Sequence, residues 1–180
     1  MTTHKRYVVG LTDQGVADIL SEQDWTELPE FIPGILKGRD AWVAHQTPVD
    51  LTGAADPEIK GMVHEPPDGG SLFRVLTFMP VKNYKSDAES ALHVHEVMKS
   101  ANVPTAEQLK TAKDPSMHKT DTLNYLYVAS GEMWMLTEHR DVLVKAGDVI
   151  VQKGCMHGWR NESDEPCTLI AVLIDAHPVQ

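Results

Sequence analysis

Between residues 117 and 161 the chain reads MHKTDTLNYLYVASGEMWMLTEHRDVLVKAGDVIVQKGCMHGWRN. No other stretch limits the possible folds as strongly. Its apolar runs LNYLYV, MWML and DVIVQ are rich in β-branched and aromatic residues, which suit a pleated, half-buried surface. Ser130-Gly131, Ala146-Gly147-Asp148 and Lys153-Gly154 supply the turns between them. Strands this short at such regular spacing predict an antiparallel sandwich or barrel. The stretch opens and closes on histidines, His118 and His157. Side chains alternate along a strand, so His118, Thr120, Thr122 and Asn124 share one face, and His157 shares a face with Trp159.

These histidines and glycines resemble the two motifs of the cupin superfamily. The first motif, a His-x-His pair followed by an acid and then a glycine, falls on His118, Thr120, Asn124 and Gly131. Thr120 and Asn124 thus stand where that motif has its second histidine and its carboxylate. The second motif, a glycine followed by Pro-x-Gly-x-x-His-x-x-x-Asn, falls on Gly147, Gly154, His157 and Asn161, with Gln152 at the usual proline. The resemblance extends weakly to CTLIAVLIDA and RYVVG. It implies an all-β, single-domain cupin jelly-roll barrel with inward-facing motif residues. On that basis the N-terminal extension covers 1–70, and the core barrel covers 71–180 with a helical insertion at about 82–116. It also implies pairing of two copies through sheet faces or exchanged N-terminal strands, hence a homodimer.

The rest of the sequence is compatible with that frame. A chain of 180 residues with 42% hydrophobic content can fill one core. RYVVGLT, DQG and VADIL read as an N-terminal hairpin; SEQDWTELPEFIPGILKG reads as irregular because Pro29 and Pro33 interrupt it. DAWVAHQTPVDL reads as a strand ending near Pro48, with His45 on one face. Residues 52–71 are rich in Gly, Pro, Asp and Glu and read as a surface loop with His64 solvated. LFRVLTFMPV and CTLIAVLIDA read as strands, the first apolar on both faces. Between them, helices are expected over 88–99, capped by Ser86 or Asp87, and over 105–112, where Thr105 and Gln108 have capping-box spacing.

A formal charge of −10 without any long basic run argues against nucleic acid and anionic membranes as partners. The sequence lacks an apolar run of membrane-spanning length and a signal-peptide pattern, which predicts a cytoplasmic protein. With two cysteines, Cys155 and Cys167, a disulfide scaffold is not expected. Cys155 lies in a turn without a helix dipole to activate it, so it reads as an incidental thiol.

Two readings of the candidate site remain open. In one, His118 and His157 hold a divalent transition metal (Zn, Ni, Mn or Fe) completed by water, substrate or a residue from elsewhere. In the other, the pocket is metal-free and the histidines act as acid and base with Asn124. Thr120, Thr122, Trp159 and Tyr125 are the candidate substrate contacts. His93-x-His95 is read as helical, where side chains two apart point about 200° from each other and cannot chelate one ion together. Phosphate-binding glycine motifs are absent, so no nucleotide or organic cofactor is expected. The expected activity is a small-molecule enzyme, an isomerase, dehydratase or lyase acting on an organic acid, ketone or phenolic compound. Its rivals are a non-catalytic binding module and an iron-dependent dioxygenase.

Overall fold

The computed structural model describes residues 3–52, 56, 58, 59 and 61–178. Strands β1 (Lys5–Leu11) and β2 (Ala17–Asp24) form the expected antiparallel hairpin. Then come β3 (Glu30–Ile32), β4 (Leu36–Ala44) and β5 (Ser71–Phe78), followed by helices α1 (Ala88–Met98) and α2 (Ala106–Thr111). The remaining strands are β6 (Thr122–Ser130), β7 (Glu132–Thr137), β8 (Val142–Lys145), β9 (Val149–Lys153), β10 (His157–Arg160) and β11 (Cys167–Asp175). A six-stranded sheet runs β3-β4-β5-β11-β6-β9, and a three-stranded sheet runs β10-β7-β8.

The main core lies between these sheets. Leu126 and Val128 of β6 and Leu169 and Ala171 of β11 pack with Met133 of β7 and Val144 of β8. The arrangement is an antiparallel jelly roll whose described strands form separate sheets rather than a closed barrel. Gly131 makes the tight turn from β6 to β7 at φ 73°. A Cβ there would lie 2.5 Å from the Pro166 carbonyl oxygen, so backbone conformation and space both demand glycine.

The helical insertion follows its sequence signals closely. Asp87 caps α1 by accepting from the Ser90 backbone N–H, and Thr105 and Gln108 complete a capping box on α2. Met98 of α1 is buried with Ile32, Leu36 and Met62, which fixes the helix against β3 and β4.

Other expectations need correction. The segment read as irregular contributes β3 and the start of β4, joined by a turn in which Gly34 has φ 71°. Pro29 and Pro33 flank β3 and stand outside it, so neither removes a donor from its ladder. A bulge between Asp40 and Trp42 breaks the alternation expected along β4, which ends at Ala44 and leaves His45 exposed beyond it. β5 is not apolar on both faces: Arg74 is only 1% exposed on its inward face, while Phe73 faces out. β8 is an additional strand between MWML and DVIVQ.

Outward-facing apolar side chains collect in two places. Tyr7, Val9, Leu11 and Ile19 are exposed on the hairpin; Phe73, Tyr125, Tyr127, Val149 and Val151 are exposed on the six-stranded sheet. Among the described residues no helix is long and apolar enough to cross a membrane.

Candidate functional site

His118 and His157 meet through their backbones before their side chains matter. Each N–H donates to the other's carbonyl oxygen, at 2.8 and 2.9 Å, in an isolated antiparallel bridge. The bridge sets the imidazole centroids 4.3 Å apart. His118 Nδ1 lies 2.8 Å from the Ser116 carbonyl oxygen, and His157 Nδ1 lies 2.9 Å from that of Cys155. A carbonyl can only accept, so both Nδ1 atoms carry the proton, and in the neutral ring the lone pair is on Nε2.

Two more histidines join them. The His64 ring centroid lies 4.8 Å from that of His118, and the His95 centroid lies 5.9 Å from His118 and 5.5 Å from His64. The expectation that His64 is solvated is therefore overturned. Its backbone N–H donates to the Met98 carbonyl at the end of α1, and Arg74 Nη2 donates to the Val63 carbonyl at 2.7 Å, so the loop is tied down from both sides. Arg74 is itself held by Asp40, with Nε 2.9 Å from Oδ1 in an ion pair too oblique for a hydrogen bond, and with Nη2 donating to Oδ2 at 3.3 Å.

His95 and His93 diverge as a helix requires: His93 is exposed and His95 is buried. The buried face of α1 carries Ala91, His95 and Met98, at helical spacing. That spacing was the available signal for an inward His95. Nothing comparable in the sequence marks His64 or Arg74.

Burial is the main cause of the site's electrostatics. It pushes His157 and His95 down to about 4 and His118 well below its ordinary value; neighbouring imidazoles reinforce the effect on His118. Burial also works to raise Glu65, but hydrogen bonds from His64 and the Ala101 N–H outweigh it and hold the carboxylate below its usual range. Glu65 Oε1 lies 3.1 Å from His64 Nδ1, so that nitrogen too is a donor.

Thr120, Thr122 and Asn124 are all buried on the inner face, with the two threonine hydroxyls 2.7 Å apart. Asn124 Oδ1 and Gln152 Oε1, side by side on paired strands β6 and β9, are buried without hydrogen-bond partners. Gln152 Nε2 lies 3.1 Å from Nδ1 and 3.0 Å from Nε2 of His157. With the His157 Nδ1 proton committed to Cys155, only Nε2 can accept, so the Gln152 amide donates to Nε2. Trp159 lies beside His157, ring centroids 6.2 Å apart. Tyr125 does not join the group: it is 47% exposed on the opposite face of β6, as strand alternation dictates once Thr122 and Asn124 face inward.

A cavity of about 580 Å³ reaches this cluster at His118. Met117, Lys119 and Met156 line it from one side and Gln108 and Leu109 of α2 from the other. The volume suits a small organic molecule.

Residues 107–173 match the family described as "Cupin domain". The chain carries a cupin domain. Over 162 residues it is 28% identical to phomopsin biosynthesis cluster protein C' of Diaporthe leptostromiformis, covering 86% of this chain and 72% of that protein. Over 179 residues it is 24% identical to a cupin-domain-containing oxidoreductase of Neurospora crassa, covering 97% and 74%. A cupin 2 conserved barrel domain protein of Salinispora arenicola superposes with a TM-score of 0.43 at 13% identity, covering 83% and 82% of the two chains.

Cupin domains often bind a metal. Here the inner-face positions Thr120 and Asn124 offer a hydroxyl and a neutral amide, while His118 and His157 offer neutral imidazoles with Nδ1 already committed. That commitment orients a ring for ligation through Nε2, so these two histidines fit a borderline divalent metal. Asn161 has a structural role: its Nδ2 donates to the Phe78 and Glu165 carbonyls. Cys155 is exposed in its turn and Cys167 is buried.

The depressed histidines make the metal-free cupin sensitive to acid. A histidine protonates near 6.5 in the unfolded chain but only near 4 in the folded one, so between those values the unfolded state binds more protons. Its contribution is fully present above pH 6.5 and is lost as pH falls toward 4, on the order of 3 kcal/mol for His157 and less for His95, where solvent screening reduces it. The melting temperature of the metal-free protein should be level from pH 8 to 7 and drop between about 6.5 and 4, before most carboxylates titrate. A level profile through that window would contradict the assignment of His95 and His157 as buried neutral rings.

Proposed function

We propose that this chain is a cupin enzyme for a small organic acid, ketone or phenolic compound, with non-redox chemistry of the isomerase, dehydratase or lyase kind. In this reading a divalent transition metal (Zn, Ni, Mn or Fe) is held through His118 and His157. The observation that supports it is the pair of imidazoles 4.3 Å apart, each with Nδ1 tied to a backbone carbonyl. A bound metal supplies Lewis acidity toward a substrate oxygen. His157, its pKa pushed down to about 4 by burial, is a neutral imidazole at neutral pH, with its lone pair available and little tendency to carry a proton. Asn124 Oδ1 and Gln152 Oε1 are unpaired acceptors able to take an N–H or O–H from a bound molecule. Thr120 and Thr122 add hydroxyls beside them, and Trp159 offers a flat apolar flank next to His157.

The relation to the Neurospora oxidoreductase favours a second reading, redox chemistry at iron. Oxygen uptake by iron-loaded protein with organic acids and phenols separates the two: the non-redox reading expects none above the metal-only control. For the site itself, His118→Ala and His157→Ala should each weaken Zn and Ni binding more than about tenfold with the far-ultraviolet circular dichroism unchanged. Variants that bind both metals like the parent would remove the basis for the site.

The exposed apolar faces support association into a homodimer, the hairpin of one copy covering the outer sheet of the other. Light scattering should then give twice the 20.0 kDa chain mass, and Val151→Glu should shift it toward a single chain. A parent that stays at one chain mass at high concentration would contradict the dimer.

A further inference from the structure

We propose that His64 and His95, which lie outside both cupin motifs, join His118 and His157 as ligands of one divalent transition metal. They would replace the donors lost at Thr120 and Asn124. This rests on the metal-binding reading above and extends it to a ligand set drawn from a loop and an inserted helix.

The geometry points to this in two ways. First, metal–nitrogen bonds of ~2 Å at tetrahedral angles put neighbouring imidazole centroids roughly 5 Å apart. The triangle His64, His95 and His118 has sides of 4.8, 5.5 and 5.9 Å, and His157 adjoins it 4.3 Å from His118. Second, all four rings have Nδ1 engaged by an outer partner: Glu65 Oε1 for His64, Ser100 Oγ at 2.9 Å for His95, and the backbone carbonyls of Ser116 and Cys155 for the others. Metal-ligating histidines show this arrangement: the carboxylate and the two carbonyls fix the tautomer that leaves Nε2 for the ion, and the Ser100 hydroxyl, able to accept, permits it at His95.

Among the described residues, no three His, Cys, Asp or Glu side chains already enclose a metal position. Closure therefore needs the rings to turn within the cluster while their backbones stay in place. Imidazole-only ligation selects Zn, Ni, Co(II) or Fe(II) over Mg or Ca, which demand oxygen donors.

The test is calorimetric titration of Zn and Co(II), with Mg as control, into the full metal-free chain and into His64→Ala, His95→Ala, His118→Ala, His157→Ala and His93→Ala. Melting curves without metal accompany each variant. The proposal expects one Zn or Co(II) per chain, no Mg binding, more than about tenfold weaker binding in each of the first four variants, and no change for exposed His93. Binding lost with His118 and His157 but retained without His64 and His95 would overturn the enlarged ligand set and leave the two-histidine site intact. A parent that binds no transition metal would overturn both. If a variant unfolds, X-ray absorption of the Zn-loaded parent decides: three or four imidazoles support the proposal, because a third must come from His64 or His95, and two imidazoles overturn it.

Discussion

The reciprocal hydrogen bonds between His118 and His157 join the parts of the molecule that the site depends on. His118 lies on the approach to β6 in the six-stranded sheet, and His157 opens β10 at the edge of the three-stranded one. Their pairing therefore fixes the spacing of the sheets and of the two imidazoles at the same point. The carbonyls of Ser116 and Cys155, each two residues before its histidine, then set the ring tautomers. A side chain placed by backbone pairing and held by a backbone acceptor starts from a set position and tautomer, which is part of the preorganisation a binding site needs.

A second constraint acts from outside the motifs. Arg74 lies within the inner face of β5, and Asp40 on β4 balances its charge. The remaining donor capacity of the guanidinium reaches the Val63 carbonyl, one residue before His64. Both side chains are buried, and that burial raises the Asp40 carboxyl despite the nearby arginine. Removing one partner of such a pair leaves a buried, uncompensated charge, so the loop position and the pair stand or fall together. Together with the His64 N–H bond to Met98, this turns a Gly- and Pro-rich loop into a fixed wall of the site.

The fold was legible where local signals and tertiary demands agree. The strand pattern over 117–161, the hairpin turn, the Asp87 cap and the Thr105–Gln108 capping box all state their structure within a few residues. His118, Thr120, Thr122, Asn124, His157 and Trp159 were reachable because period-two alternation assigns faces without knowledge of the partner strand. Tyr125 shows the same rule from the other side, since its odd register sends it outward. β3 was hidden because it has only three residues and Pro29 and Pro33 bracket it. His64 and Arg74 were hidden for a different reason: loop composition predicts solvation, and a lone arginine in an apolar run does not announce a buried aspartate on the next strand.

Ring tautomers test the central claim most directly, because everything proposed for the site requires Nδ1 to carry the proton and Nε2 the lone pair. Long-range proton–nitrogen correlation spectra of the metal-free protein near pH 7 resolve which ring nitrogen carries hydrogen. The account predicts Nδ1–H with an unprotonated Nε2 for His118 and His157, as the Ser116 and Cys155 carbonyls require, and a protonated Nδ1 on His64 facing Glu65. Nε2–H tautomers on His118 and His157 would contradict it, since the lone pairs would then point at backbone carbonyls and away from any bound ion or substrate.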